Sequence, residues 1–296
     1  DEAKIVYEFD HEIRGKSSVA VGLRPKGKEV ECDGEKVGRL ADYIGRFPSV
    51  IFASSDIQLI RGAPALRRRF LDLYLSSLDR GYLKVLQVFH KALEERNSLL
   101  KAHGDEAQLE AFDAQLIPAG GGLIKKRREA ATVLNAQLGL FYETLSDGKE
   151  RAGFVYRANT EADTEESFRS MLEGSRKRDQ ATGITQRGPH RDDCLFQLKD
   201  KDALIYGSEG QQRGIVLALR FAQFKEIREK TGILPLILAD DVLGELDPMR
   251  RGYFWKTLDL DTQVFATGTM VPELSGERSW SVFKVCEGEF APKSDS

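Results

Sequence analysis

The sequence predicts a mixed α/β fold, with some α+β character, in which a helical region interrupts a domain built on β-sheets. Three observations support this prediction. Residues 4–31 alternate in polarity as strands do, the stretch 66–145 repeats its apolar residues at helical spacing, and the last third alternates apolar runs with amphipathic segments. Strands and helices that follow one another in this way are typical of α/β domains.

The amino-terminal region is predicted to form short antiparallel strands. Ile5, Tyr7 and Phe9 share one face of an alternating run, and a second alternating run lies at 19–23. The pair Asp33-Gly34 is a typical tight turn, and an apolar strand is expected at 49–53.

The stretch 66–145 is predicted to contain two long amphipathic segments. Their apolar residues recur at helical spacing, with an interruption at Gly81 and a break at 118–122, where a proline precedes three glycines within five residues. Two helices around such a break would form an antiparallel helical arm. A compact helical subdomain is the alternative, and the periodicity is compatible with both.

The last third predicts a parallel sheet. Apolar runs at 194–198, 233–239 and 263–266 alternate with helical patterns at 215–232 and 248–258. Because these strands are apolar almost throughout, we expect helices to cover both faces of the sheet.

Composition restricts the class of protein. Of 296 residues, 44 are Lys or Arg and 47 are Asp or Glu, which gives a formal net charge of −3, and three are Cys. Few and scattered cysteines argue against a disulfide scaffold or a zinc site and indicate a reducing compartment. No apolar run reaches the roughly 18–20 residues needed to cross a bilayer, so we expect a soluble, cytoplasmic protein with no membrane contact.

Two adjacent carboxylates, Asp240 and Asp241, end the apolar run of one predicted strand. The carboxyl ends of parallel strands are where open α/β sheets bind ligands. The first carboxylate could hold Mg²⁺, and the second could orient or deprotonate an attacking water. Capping of the next helix is the alternative, but the downstream Leu246-Asp247-Pro248 favours the functional interpretation.

A second motif, Ser208 with Gly210 and Gln211, precedes a helical pattern. Ser followed three residues later by Gln is a capping box, so helix initiation explains part of this motif. The same helix start offers unpaired N–H donors and a favourable dipole to a phosphate group.

In combination, the motifs resemble those of the ATP-binding-cassette and SMC-type ATPases and, within that class, the RecF family of bacterial recombination mediators. The resemblance covers residues 52–267 in the order expected of the family. The stretches that carry it are Phe52 with Asp56-Ile57, Arg61–Asp72, Gly188–Asp193, Ser208–Arg213, Asp240–Pro248 and Phe265–Thr267.

For the sheet edge, the resemblance implies that Asp240 is the Walker B carboxylate that binds Mg²⁺ with ATP. Asp241 would take the catalytic position where ATP-binding cassettes usually carry Glu. Thr267 would occupy the switch position, where many relatives have His, and the Q-loop glutamine of SMC proteins is missing around 54–56.

For the dimer interface, the resemblance implies that Ser208, Gly210 and Gln211 form the signature that contacts ATP bound to the other subunit. Gly244 and Asp247 would belong to the D-loop at the same interface.

The P-loop that this class requires is not found in these 296 residues. Gly15-Lys16-Ser17 is the only Gly-Lys-Ser, but Asp10 stands at the position of the motif's first glycine and strand-like runs flank the triplet. The glycines at 120–122 lack the required spacing. We therefore expect the family's P-loop upstream of residue 1, and weak ATP binding by this chain alone.

Local basic clusters could neutralise DNA phosphates without reading sequence. Arg67, Arg68, Lys125 and Arg128 are the candidate DNA-binding residues. A solvated helix face balanced by acidic residues is the alternative for each cluster.

The resemblance also implies an organisation and a function. A discontinuous ATPase domain, residues 1–65 and 180–296, would carry a helical arm domain inserted at 66–179. The whole protein would dimerise with ATP on gapped or junction DNA and hydrolyse ATP slowly to release it. It would act in recombinational repair, replication and the SOS response with the RecR and RecO mediators, associated with the nucleoid. An ATP-driven DNA clamp without significant turnover and another SMC-like repair ATPase are the alternatives.

Overall fold

The computed structural model describes residues 2–13, 15–25, 27–160, 164–271 and 279–292. The strands are β1 (Ala3–His11), β2 (Gly15–Arg24), β3 (Gly27–Cys32), β4 (Glu35–Lys36), β5 (Ser49–Ala53), β6 (Ala152–Arg157), β7 (Asp193–Leu198), β8 (Lys201–Asp202), β9 (Leu236–Asp240), β10 (Val264–Thr267), β11 (Phe283–Cys286) and β12 (Glu289–Pro292). The helices are α1 (Gln58–Arg61), α2 (Pro64–Leu78), α3 (Arg80–Lys101), α4 (Glu106–Leu145), α5 (Glu165–Thr182), α6 (Ala203–Tyr206), α7 (Glu209–Thr231), α8 (Val242–Glu245) and α9 (Pro248–Thr257), with 3-10 turns at Leu40–Asp42, Ser54–Ile57 and Pro189–Arg191. Within these ranges, no helix combines the length and apolar composition that a membrane span requires.

The amino-terminal strands form the predicted antiparallel sheet. β1, β2, β3 and β4 are neighbours in that order, and Val19 lies opposite Cys32. Val19, Val30 and Cys32 form a small buried core, against which Phe9 packs. The rings of Phe9 and Phe47 are stacked with centroids 4.3 Å apart. The alternating pattern is therefore that of strands with one packed face.

The predicted parallel sheet is also present, in the strand order β10-β9-β5. Val50 and Phe52 of β5 are buried, and the Phe52 ring packs on Phe221 of α7. On the opposite face, Ile51 and Phe265 are 49% and 56% exposed. The expectation that helices cover both faces is thus wrong for the described residues, which cover one face only.

The predicted strand at 194–198 belongs to a different sheet. β7 pairs antiparallel with β6 and β8, with Phe196 opposite Phe154. The sequence pattern of β7 does not reveal that its neighbour is β6. Apolar character alone does not distinguish a parallel strand from a buried antiparallel one.

The interruption at Gly81 is confirmed, but the break at 118–122 is wrong. Asp79 separates α2 from α3 and accepts a hydrogen bond from Gly81 N. Pro118 and the glycines after it lie inside the 40-residue helix α4. At Gly120, a Cβ atom would lie 2.4 Å from the ring of Phe168. This glycine permits close packing between α4 and α5, and packing of this kind outweighs the helix-breaking tendency of the local sequence.

The chain instead reverses between α3 and α4, at residues 102–105. Asp105 caps α4 by accepting a hydrogen bond from Gln108 N. α4 packs along α3 and also contacts α7 and β6. One hydrophobic core includes buried residues of α2, α4, β6, β7, α7 and β9, among them Leu71, Leu138 and Phe154. The helical region therefore packs into the main core, and the proposed division into two domains stays a prediction.

Candidate functional site

The carboxyl edge of the parallel sheet brings three predicted site residues together. Asp240 ends β9 and lies opposite Thr267, the last residue of β10. The Thr267 hydroxyl donates to Asp240 Oδ1 at 2.7 Å, and Asp241 N lies 3.2 Å from both the Thr267 carbonyl and its Oγ1. All three residues are exposed. This edge therefore presents two carboxylates to solvent, one of them oriented by a hydroxyl.

Asp241 has an unusual backbone conformation. Its φ is 55° and its ψ is 7°, in the left-handed region, and it precedes α8. Asp is one of the few residues besides glycine that visit this region routinely. Since this conformation is uncommon and clusters at functional sites, it independently supports a functional role for Asp241.

The second motif forms the start of α7. Ser208 Oγ accepts from Gln211 N at 3.3 Å, and Gln211 Oε1 accepts from Ser208 N at 2.8 Å. The capping box predicted from the sequence is thus present. Ser208 is exposed and Gly210 is half-buried, so the first turn of a 23-residue helix faces outward. The hydrogen bond from Arg213 lowers the pKa of Glu209 in this turn.

The predicted D-loop contacts the start of α7 within the same subunit. Asp247 caps α9 by accepting from Arg250 N at 2.8 Å, and its other oxygen pairs with the Arg250 guanidinium. That guanidinium also lies over Gly210, where a Cβ atom would be 3.6 Å from Arg250 Nη2. Arg213 pairs with Glu245 of α8. One ion pair, between Arg213 and Glu245, and the packing of Arg250 over Gly210 therefore join the start of α7 to the segment after Asp241. Gly244 lies exposed in that segment.

Two of the four predicted DNA-binding residues are used inside the protein. Arg67 is 8% exposed and its guanidinium donates to both carboxylate oxygens of Asp193, at 2.7 and 3.1 Å. Arg68 donates to the Asp192 carbonyl at 2.7 Å, and burial followed by the nearby Arg127 charge lowers its pKa. These contacts leave Arg67 and Arg68 less available to DNA than an exposed arginine, and their role as DNA contacts stays a prediction.

The other two candidates, Lys125 and Arg128, lie exposed on α4. They are one helical turn apart, so their side chains share a face of the helix. They remain candidates for contact with DNA.

Sequence reasoning missed Asp56 and Arg220, which form a bidentate pair beside the sheet edge. Arg220 interrupts the apolar run of α7, and an arginine in such a run is the sequence signal that could have found it. The resemblance quoted Asp56 without a role.

The metal-binding capacity of the site is consistent with a nucleotide-bound ion. Among the described residues, no group of three or more His, Cys, Asp and Glu side chains has the arrangement of a metal site. Mg²⁺ at nucleotide sites usually takes only one or two carboxylates and completes its shell with phosphate oxygens and water. Asp240, exposed at a strand end and held by Thr267, suits that arrangement.

Comparison with known proteins places the chain in a family. No family model matches it. It is 34% identical over 292 residues to the DNA replication and repair protein RecF of Halalkalibacterium halodurans, an alignment that covers 94% of this chain and 79% of that protein. The chain belongs to the RecF family. RecF of Streptococcus thermophilus is 35% identical over 271 residues, covering 90% of this chain and 74% of the relative.

Solved structures of the recombination mediator protein RecF in the RecFOR pathway share the fold. The RecF-ATP structure has a TM-score of 0.90 and 29% identity, and the alignment covers 99% of this chain and 80% of that one. The RecF-ATPrS structure has a TM-score of 0.89 and 28% identity, with 99% and 81% covered. The resemblance to the RecF family inferred from the motifs is thus confirmed.

Proposed function

We propose that this RecF-family chain belongs to an ATP-dependent DNA repair protein that dimerises with ATP on DNA and hydrolyses the nucleotide slowly to release it. The observation that carries the proposal is the carboxyl edge of the parallel sheet, where Asp240, Asp241 and Thr267 meet. The related RecF-ATP and RecF-ATPrS structures support ATP as the ligand.

Each residue of the edge has a proposed role. Asp240 would hold Mg²⁺, and the Mg²⁺–ATP pair would supply the phosphoryl group and the positive charge that stabilises its transfer. Thr267 fixes the Asp240 carboxylate by its hydrogen bond, so this ligand is preoriented. Asp241 would orient or deprotonate the attacking water. It has one methylene fewer than the Glu usual at this position, so the water would lie closer to the backbone.

The exposed start of α7 supports a contact with nucleotide bound to a second subunit. Ser208 offers its hydroxyl and Gly210 its backbone N–H at the positive end of the helix dipole. Gln211 is held by Ser208 N and donates to Glu150 at 2.8 Å, so it would position the turn more than bind phosphate directly. Asp247 and Gly244 would face the same interface.

The open face of the parallel sheet supports a place for a P-loop segment. Ile51 and Phe265 are both in register with Leu238 and form one apolar row on the face that the described residues leave uncovered. Parallel sheets are normally covered on both faces, and β10 is the edge strand on the side of Thr267. A strand–loop–helix unit seated here would bring its loop to the edge that carries Asp240.

DNA contact and partners complete the proposal. Lys125 and Arg128 would neutralise DNA phosphates, without sequence preference. The RecFOR pathway of the related structures supports action with RecR and RecO. Action at gapped or junction DNA, association with the nucleoid and a part in the SOS response complete the proposal on the family resemblance alone.

Substitutions at the two carboxylates test this proposal in a full-length protein that carries a P-loop. We expect Asp240→Asn to lower ATP hydrolysis by about 10²–10³-fold, as the loss of one transition-state contact does elsewhere. Asp241→Asn should leave ATP-dependent dimerisation intact while hydrolysis falls by a similar factor. Dimerisation is measured by light scattering with and without ATP, and hydrolysis by phosphate release.

Two outcomes would change the assignment. Unaffected hydrolysis in Asp241→Asn would remove Asp241 from the catalytic role. Negligible turnover in the unsubstituted protein, with ATP-dependent dimerisation preserved, would favour the DNA clamp without turnover.

A further inference from the structure

We infer that Asp56 and Arg220 form a positioning pair that holds the end of β5 beside Asp240 and links it to α7. The pair connects two parts of the proposed site: the signature turn, which is Ser208–Gln211 at the start of α7, and the sheet edge with Asp240 and Asp241. Its consequence for catalysis rests on the proposed function. Its effect on the sheet edge does not.

The pair has the geometry of a persistent ion pair. Arg220 Nε donates to Asp56 Oδ2 at 2.9 Å and Nη2 donates to Oδ1 at 2.5 Å. Nη1 donates to Gln223 at 2.9 Å, and the guanidinium lies 5.2 Å from the ring centroid of Phe70. The two charged side chains are 14% and 13% exposed. A bidentate, largely buried arrangement of this kind holds its geometry far better than an exposed pair.

Asp56 transmits this constraint to the strand end. The carboxylate oxygen that accepts from Arg220 Nε also accepts from Ala53 N at 3.0 Å. Ala53 is the last residue of β5 and lies directly opposite Asp240 in the parallel register. Through this hydrogen bond, Asp56 acts on the site by way of the backbone of Ala53.

Through Arg220, helix α7 connects the signature turn to the sheet edge. The helix begins at the signature turn and makes two ion pairs toward the sheet edge, Arg213 with Glu245 and Arg220 with Asp56. Seven residues separate the two arginines, which is two helical turns, so both project from one side of the helix. One contact reaches the segment after Asp241 and the other reaches the strand beside Asp240. A movement of the signature turn would therefore displace the segments on both sides of Asp240 and Asp241.

Hydrogen exchange of the 296-residue chain tests the positioning role without nucleotide. We expect Arg220→Gln and Asp56→Asn to speed amide exchange in residues 49–57 and 236–241 by about tenfold, with little change in β6 and β7. The matched control is Arg228→Gln on the same helix, whose pair with Asp259 is 50% and 47% exposed. If Arg220→Gln fails to fold, Arg220→Lys keeps the charge without the bidentate contact and should give a smaller change in the same two segments.

Unchanged exchange in those two segments would overturn the inference. So would an equal increase in β6 and β7, since that result indicates general destabilisation.

Hydrolysis by the full-length protein tests the consequence for the site. We expect Arg220→Gln to lower kcat about tenfold while KM for ATP changes less than about threefold, with Arg228→Gln unaffected. A kcat equal to that of the unsubstituted protein would limit the pair to a role in folding and overturn its catalytic consequence. Absence of hydrolysis in the unsubstituted protein would instead refute the proposed function, and hydrogen exchange would still decide the positioning role.

Discussion

Two regions of this molecule are rich in charged residues. In one, the charged side chains are buried in ion pairs, and in the other they face solvent. In the buried region, Arg127 of α4 is 2% exposed and donates to Asp72 at 3.0 Å and to the Pro189 carbonyl at 2.6 Å. It also pairs with Asp192 at 3.3 Å. At the sheet edge, Asp240 and Asp241 are exposed. Among the described residues, the Asp240 side chain accepts a hydrogen bond from Thr267.

The difference separates residues that maintain the fold from residues available to a ligand. Asp192 accepts hydrogen bonds from Tyr156 and from Asn159 N besides Arg127, so a buried charge is surrounded by donors. A second such centre joins Arg96 to Asp113 at 2.7 Å and to Asp179 at 2.9 Å. Burying a charge is tolerable only with such partners, whereas an exposed carboxylate keeps its capacity to bind.

The largest expected effect is on the buried region. Arg127→Met should lower the free energy of unfolding by about 3–5 kcal/mol, because it leaves Asp72 and Asp192 without their shared cation. Urea denaturation measures the change. Lys125→Met on the same helix is the control, since exposed positions usually change stability by about 0.5 kcal/mol or less. If the two substitutions lowered the free energy of unfolding equally, buried and exposed charges would not differ in their contribution to stability.

A smaller effect is expected from pH at the border of the buried region. His190 lies next to Pro189, and burial lowers its pKa to about 4. An unfolded His titrates near 6.5, so the unfolded state binds more protons below that pH and stability falls as the pH is lowered from 6.5 toward 4. We expect a loss of up to about 2 kcal/mol between pH 6.5 and 5, an upper value because solvent reaches part of the ring.

Unfolding of His190→Gln at several pH values measures this contribution. The variant should lose less stability than the unsubstituted chain over the same interval, and His103→Gln, in an exposed turn, should behave like the unsubstituted chain. A pH dependence that survives in His190→Gln would assign the effect to other groups.

The smallest effect on stability is expected at the sheet edge. Thr267→Val removes the hydroxyl that donates to Asp240, yet both groups are exposed and water can replace the contact. Stability should fall by about 1 kcal/mol or less. In a full-length protein with a P-loop, the rate of ATP hydrolysis should fall severalfold. A loss of stability this small leaves the protein folded and does not account for that fall. If the rate of ATP hydrolysis also changed only slightly, Thr267 would have a structural role only.

Much of the fold follows from local pattern. The β1–β3 alternation, the apolar runs of β5, β9 and β10 and the interruption at Gly81 were predicted correctly because side-chain periodicity reports the packed face directly. The break at 118–122 was predicted wrongly because Gly120 serves a contact with Phe168, about 50 residues away in sequence, which no local pattern records.

The site shows the same division. The sequence pattern predicts Asp240, Asp241 and the capping box of Ser208, since each lies at the end of a recognisable strand or the start of a helix, and the family resemblance adds Thr267. The sequence predicts Arg67 and Arg68 as DNA contacts, but charge in the sequence does not reveal its partners within the fold. Asp192 and Asp193, more than 120 residues away, are those partners.

By itself, the sequence determined the family, the strands that end at the candidate site and the carboxylates they carry, because these depend on residue type and short spacing. The tertiary structure alone decided which charges are satisfied. Arg67 and Arg127 are enclosed by acidic partners, Arg220 is directed to Asp56, and Asp240 is left open to solvent. The physical reason is that the energy of a charge depends on its burial and its nearest counter-charge, and both are set by segments distant in sequence.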